Sequence, residues 1–342
     1  MKVSISVGGY AKDGIDETVQ FVQECEQLGV DCVWAAEAWG PDSITALSYL
    51  AAKTENIKLG SGILQISARA PAMTAMTALS LNQLSRGRYI CGLGVSGPQV
   101  VEGLHGVDYA APLTRLWENV EILRMAFRGE KLVIDGKRHQ LPLPGGQGKA
   151  LRLDHEPADI PIFLATLAPR SLEYTGAAAD GWLVTSFSPD HPEAHLAHLR
   201  KGAEAAGRTL ADIELVTACS LGIGENVEEQ IGKRKRSVAF NLGAMGSATT
   251  NFYNDAFRRA GYVDDSIAVQ ELWLAGKRAE AVARVPDEMV TAFSAIGTSD
   301  MVKARVQVYR DAGINGLQLR FDTSDMRERL DMIGQLMDML PD

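Results

Sequence analysis

The feature that most limits the folds open to this chain is its rhythm: a short apolar run gives way to a helical period, eight times over. Residues 2–7 alternate as a strand does, and residues 14–28 carry apolar side chains at helical spacing up to Gly29. The same pairing recurs as strand 31–35 with helix 42–54, strand 57–66 with helix 72–84, and strand 88–93 with helix 115–127. It resumes as strand 161–165 with helix 169–178, strand 181–185 with helix 192–206, strand 213–221, and finally strand 316–321 with helix 326–339. Asp42 and Ser43 are good helix caps. Strands alternating with helices lie parallel, with the helices packed outside. Eight units in 342 residues favour a closed (β/α)8 TIM barrel over an open doubly wound sheet. No linker, charge block or low-complexity stretch marks a second domain, so residues 1–342 are expected to form one domain. Two segments break the rhythm as insertions, after the fourth and seventh strands. The first, about 129–158, holds a small hairpin expected to turn at Asp135-Gly136 and a Pro/Gly loop at 141–149. The second, 227–289, is mostly helical.

Composition removes several function classes. With 34 Lys+Arg against 43 Asp+Glu the formal charge is −9, which argues against wrapping nucleic acid or resting on an anionic membrane. A few local cations or backbone N–H groups still suffice to hold one phosphate. The start MKVSISVGGYAKDG shows no signal-peptide pattern, and no run reaches the roughly 18 apolar residues of a membrane span. A cytoplasmic protein is expected. Cys25, Cys32, Cys91 and Cys219 lie far apart without metal spacing and read as small buried hydrophobes.

The stretches that carry chemistry sit where strands end. Gly92-Leu-Gly-Val-Ser-Gly97 contains GxGxxG, but after a fourth strand and with no acid closing a strand about 20 residues on; Glu118 lies inside a helix. The dinucleotide reading therefore fails on context, although a glycine-rich loop at this end of a barrel strand suits a ligand. Gly60 and Gly62 interrupt an otherwise good strand, either for close packing or for approach of a ligand. Arg69 in the following loop is a surface cation or a reader of an anion. Trp34-Ala-Ala-Glu-Ala-Trp-Gly40 closes the second strand, where Glu37 could accept a hydrogen bond from a ring and Trp39 could wall an aromatic ligand. Thr166-Leu-Ala-Pro-Arg170 opens a helix whose free N–H groups suit a phosphate, with Arg170 at hand. Asp180-Gly181 reads as a structural turn. Among the histidines, His191, His195 and His198 read as a solvated helix face, whereas His105 follows the glycine-rich loop with Glu102 three residues before it. No histidine has a metal-ligand context and no nucleophile elbow is present. The residues alone point to a barrel that binds something aromatic and phosphorylated.

Taken together and in order, these stretches resemble the bacterial luciferase-like superfamily of flavin and deazaflavin enzymes. The resemblance rests on residues 34–40, Gly60-Ser-Gly-Ile63, Arg69-Ala-Pro71, residues 84–88, 92–97 and 166–170, and Ala179-Asp-Gly-Trp182. The tract SGPQVVEGLHG at 96–106 and LPLPGG at 141–146 bring it closest to the actinobacterial coenzyme F420-dependent oxidoreductases. That resemblance implies a homodimeric TIM barrel with the tricyclic ring at its C-terminal mouth. Glu37, Trp39, Gly62, Ile63, Arg69, Gly94, Val95 and Ser96 would contact the cofactor, and Thr166, Leu167 and Ala168 would hold its phosphate. A non-prolyl cis peptide backing the ring would fall at Gly62–Ile63. Glu102 would be the acid/base, with His105 as helper.

One departure bears on the chemistry. Relatives that oxidise alcohols carry His directly after the acid that ends strand two, and this chain has Ala38 there. The expectation is therefore hydride transfer between the deazaflavin C5 and a small substrate's C=C, C=O or C=N group. Segment 227–289, with Met245, Phe252, Tyr253 and Trp273, would roof the site. The alternatives are an FMN-dependent monooxygenase on the same barrel and a non-catalytic flavin-binding protein.

Overall fold

A computed structural model describes residues 1–8, 14–245 and 251–340 of the chain. Its strands are β1 (Lys2–Val7), β2 (Cys32–Ala35), β3 (Lys58–Ser61), β4 (Leu64–Gln65), β5 (Tyr89–Gly94), β6 (Ile134–Asp135) and β7 (Gln140–Leu141). They continue as β8 (Ile162–Ala165), β9 (Gly181–Val184), β10 (Glu214–Ile223), β11 (Ser294–Gly297) and β12 (Gly316–Arg320). Apart from the β6–β7 hairpin and two short pieces, β4 and β11, these are the eight strands that the hydrophobic rhythm marks out. The single strand expected over 57–66 is two, β3 and β4, parted at Gly62–Ile63, and that peptide bond is cis. Strand β11 was not foreseen: its Ser-Ala-Ile-Gly run follows directly on the helical insertion and holds a single β-branched residue.

The chain divides into two compact units, Met1–Ser6 with Glu24–Asp31 and Thr166–Asp342, and Val7–Gln23 with Cys32–Ala165. In the first, β10 is the hub. It runs parallel to β9 (Glu214 opposite Gly181), to β12 (Val216 opposite Gly316) and, at its far end, to β11 (Ser220 opposite Ser294). β12 in turn pairs in parallel with β1. Helices Pro169–Ala178 and Glu193–Ala205 cross backbone to backbone in this unit. A methyl group on Gly202 would lie 1.7 Å from the Glu173 carbonyl oxygen, and one on Gly176 2.0 Å from that of Leu199. The expected helical insertion runs from Val227 to Ala292 and has its own core of Ile231, Val238, Leu242, Phe257, Val269 and Met289. Trp273 is half-buried against that core, edge-on to Phe240 and over Gly243.

His195 corrects the sequence reading. It is 1% exposed, with its ring 5.7 Å from Trp182 and 6.0 Å from Phe187, and neither ring nitrogen has a hydrogen-bond partner among the described residues. Leu196, Leu199 and Ala203 set the buried face of this helix, and His195 lies within that arc. Burial pushes its pKa down to about 4, helped by the nearby Arg259 charge. The unfolded chain, with an ordinary imidazole near 6.5, therefore binds this proton first as pH falls. Stability is complete above the unfolded value and drains away as pH falls toward the folded one. Acidifying from pH 7 to 5 should cost about 2 kcal/mol through this residue. Denaturant unfolding at the two pH values should show that loss, and a His195→Phe variant should lack it; an unchanged pH slope in the variant would dismiss His195 as the cause.

In the second unit all pairing among β2, β3, β4, β5 and β8 is parallel, Cys32 standing opposite Lys58, Leu59 opposite Tyr89 and Cys91 opposite Ile162. The hairpin of the first insertion turns differently from expectation. β6 ends at Asp135, and Gly136 to His139 form a wider loop instead of a two-residue turn. The cause is Glu118, 8% exposed on helix Pro112–Phe127. Its carboxylate accepts from the backbone N–H groups of Lys137 at 2.7 Å, Arg138 at 3.0 Å and His139 at 2.7 Å, and the loop is wrapped around it. The four cysteines are free and buried; burial raises the Cys25 and Cys91 thiols to about 12 and that of Cys219 to about 11, which keeps them unreactive near neutral pH.

Candidate functional site

In the second unit, residues just beyond the carboxyl ends of β2, β4 and β5 converge. Glu37 lies two residues past β2, and its carboxylate takes both arms of the Arg69 guanidinium at 2.6 and 2.7 Å. Arg69 also donates to Asp42 at 2.6 Å, while Asp42 caps helix Ser43–Lys53 through the Thr45 N–H. The hydrogen bond to Glu37, aided by both acids' charges, raises the Arg69 pKa. Arg69 is thus a structural clamp on the loop that presents Glu37 and Trp39. Trp39 itself is 65% exposed, its indole free to cover a planar ligand.

Gln65, 2% exposed at the end of β4, is the residue that sequence reasoning missed. Its amide N–H2 donates to the carbonyls of Glu37 and Ala38, both at 3.0 Å, so its oxygen faces the other way and meets His105 Nε2 at 3.1 Å. An amide oxygen only accepts, so Nε2 carries the proton and Nδ1 is left as the imidazole's acceptor. A polar amide inside the apolar run 57–66 was the available signal. Glu102, next to the short helix Pro98–Val101, is exposed and accepts from the Tyr109 N–H at 3.3 Å. The Tyr109 hydroxyl donates to the carbonyl of Ser96 at 3.2 Å, and Ser96 adopts a left-handed φ of 60°.

The glycines are accounted for by packing. A methyl on Gly60 would fall 2.2 Å from the Trp34 ring; on Gly92, 1.9 Å from the Ser61 carbonyl oxygen; on Gly94, 2.9 Å from the Ile63 side chain. The Ser61 hydroxyl accepts from the Gly92 N–H at 2.8 Å and lies 3.0 Å from the Gly92 carbonyl. Two of the three glycines in the GxGxxG match therefore let β5 press against the Ser61–Ile63 segment. They serve that contact in place of a pyrophosphate.

In the first unit, Thr166, Leu167 and Ala168 lead into helix Pro169–Ala178. Among the described residues no side chain caps that helix at Ala168. The Thr166 hydroxyl is turned inward to Thr175 at 2.7 Å and its carbonyl accepts from Trp182 Nε1 at 2.9 Å, so the loop presents backbone. Arg259, from the insertion, donates to the Leu167 carbonyl at 2.8 Å, and its Nε is buried without a partner among the described residues. Burial lowers its pKa. An uncapped helix start beside a half-satisfied guanidinium is a donor set that suits a phosphate. Arg170, offered for that role by the sequence, is exposed. Arg259 lies about 90 residues downstream in sequence, and no local pattern marks it. Among the described residues no group of His, Cys, Asp and Glu could hold a metal, and no helix is long and apolar enough to cross a membrane.

Known proteins resemble this chain along most of its length. A protein of Mycobacterium tuberculosis named as a coenzyme F420-dependent oxidoreductase is 35% identical over 323 residues, covering 92% of this chain and 93% of its own. The 5,10-methylenetetrahydromethanopterin reductase of Methanolobus tindarius is 29% identical over 88% of this chain and 89% of its own. The solved coenzyme F420-dependent tetrahydromethanopterin reductase of Methanopyrus kandleri superposes with a TM-score of 0.80 over 98% of this chain and 97% of its own, at 23% identity. That superposition shows the fold to be the expected (β/α)8 barrel. The model of the luciferase-like monooxygenase family matches residues 2–316, and the chain belongs to that family.

Proposed function

We propose that this chain is a coenzyme F420-dependent oxidoreductase acting on a small organic substrate. The observation that carries the reading is similarity along nearly the whole chain to a relative named for that cofactor, at 35% identity over 92% of the sequence. When bound, F420 supplies or accepts a hydride at C5 of its deazaflavin. The chain's own residues then have separable tasks. Trp39 and Ile63 bound the ring, the Glu37–Arg69 clamp holds their loop in place, and Gly94, Val95 and Ser96 form the neighbouring strand end. The backbone of Thr166, Leu167 and Ala168, with Arg259, takes the phosphate. Glu102 moves the proton that accompanies the hydride, and His105, with its Nδ1 open, assists. With Ala38 following Glu37, reduction of a C=C, C=O or C=N group is the direction the residues favour. Helices of the insertion serve as a lid through Phe252 and Tyr253, and the protein works as a homodimer. Residues 246–250 of that insertion lie outside the described chain.

Titration with F420 and with FMN, each oxidised and reduced, tests the reading directly. Micromolar F420 binding with feeble FMN binding is expected. The reverse preference would instead favour the oxygen-using chemistry after which the family is named. Glu102→Gln should cut turnover at least tenfold and leave F420 affinity unchanged; full turnover in that variant removes Glu102 from proton transfer.

A further inference from the structure

At the carboxyl ends of β9, β10 and β12 the first unit encloses a hollow of about 20 Å³, lined on its polar side by Thr185, Ser220, Arg234, Asn241, Ser294 and Arg320. Among the described residues no acidic side chain lines it. Arg234 reaches Asp322 at 3.4 Å, and among the described residues no carboxylate comes within ion-pair distance of Arg320. Burial lowers the Arg320 pKa, and the Arg234 charge lowers it further. Ser220 and Ser294 are each 2% exposed, and the Ser220 hydroxyl has no hydrogen-bond partner among the described residues. Two guanidiniums that repel each other, only one of them reached by a carboxylate, stand beside an orphaned buried hydroxyl and make a wall of donors in excess of acceptors. Unpaired buried polar groups are expensive, so such a wall persists where a ligand completes it. Phe257 and Phe293, rings 4.1 Å apart, form the apolar side.

The donors select among anions: two guanidiniums, two serine hydroxyls and an asparagine amide line one side of the hollow. Paired arginines also match the planar carboxylate through their forked donors. Parallel barrel strands place substrate groups at this end of the sheet.

We infer that the Arg234–Arg320 hollow receives the carboxylate of the substrate, so that the reducible group acted on belongs to an organic acid. The inference rests on the oxidoreductase reading above and narrows it. Calorimetric titration of the full chain with benzoate, benzamide and inorganic phosphate tests it without turnover. Benzoate should bind at least tenfold more tightly than the isosteric benzamide and more tightly than phosphate. Arg320→Leu should weaken benzoate at least tenfold while leaving benzamide alone. Ser220→Ala, a smaller change that guards against a misfolded Arg320 variant, should weaken benzoate about threefold. Equal affinity for acid and amide, no benzoate binding, a preference for phosphate, or indifference to both substitutions would each overturn the inference. Titrating the same preparations with F420 keeps the two readings apart. F420 binding without carboxylate preference removes only the hollow's role, whereas Arg320-dependent benzoate binding without F420 binding removes the oxidoreductase reading and leaves the receptor.

Discussion

Gly92→Ala should destabilise the protein by about 3 kcal/mol and weaken F420 binding at least tenfold, while Gly97→Ala, five residues on in the same glycine-rich match, should cost less than about 0.5 kcal/mol. The contrast follows from what each added methyl meets. At Gly92 it would lie 1.9 Å from a backbone oxygen, that of Ser61, which has no side-chain torsion through which to yield. Relief requires shifting β5 away from the Ser61–Ile63 segment, breaking the Gly92 N–H bond to Ser61 and moving the neighbourhood assigned to the ring. At Gly97 the nearest atom is the tip of Gln99 at 3.6 Å, an ordinary contact, and φ is −109°, which any residue adopts. Thermal and denaturant unfolding of the two variants, followed by F420 titration, checks both halves. Equal tolerance at the two positions would mean that the glycines serve a ligand and not the strand contact.

Arg69→Met should lower stability by about 2 kcal/mol and weaken F420 at least tenfold. Removing one member of a fully buried ion pair costs about 3–5 kcal/mol because the survivor is left charged and unpaired. Here the Glu37 side chain keeps 12% of its exposure and that of Arg69 21%, so solvent offsets part of that cost. Arg69→Lys should recover the charge but not the fork, restoring stability more than affinity. Binding and unfolding measured on both variants separate the clamp's two effects. Unaltered F420 affinity in Arg69→Met would free the Glu37 loop from any part in the cofactor site.

Much of the architecture was legible because its period is coarse. Eight alternations of strand and helix leave few folds, and the ends of the strands announce where chemistry collects. What escaped was set by tertiary partners distant in sequence. The β6–β7 loop opens because a carboxylate on the preceding helix gathers its N–H groups, and Asp135-Gly136 carries no sign of that. His195 looks like one of three solvated imidazoles until Trp182 and Phe187 are folded onto it. Within the candidate site, Glu37 and Arg69 stood out as charges at strand ends, and the structure joins them. Gln65, Asp42 and Arg259 act through contacts 27 to 92 residues away, partners that no local pattern names. Gly60, Gly92 and Gly94 were visible as glycines, but the partners that require them were not.

The crossing of helices Pro169–Ala178 and Glu193–Ala205 bears on how such a site can diversify. Gly176 and Gly202 each abut a main-chain carbonyl of the opposite helix, so a larger residue at either position forces the pair apart. The first of these helices begins directly after Thr166–Ala168, and its axis is fixed by that bare backbone contact. Mutational drift therefore has little freedom to slide the loop toward or away from an anion. A change of ligand preference at this loop then has to come from the side chains around the turn, because the turn itself has little room to move.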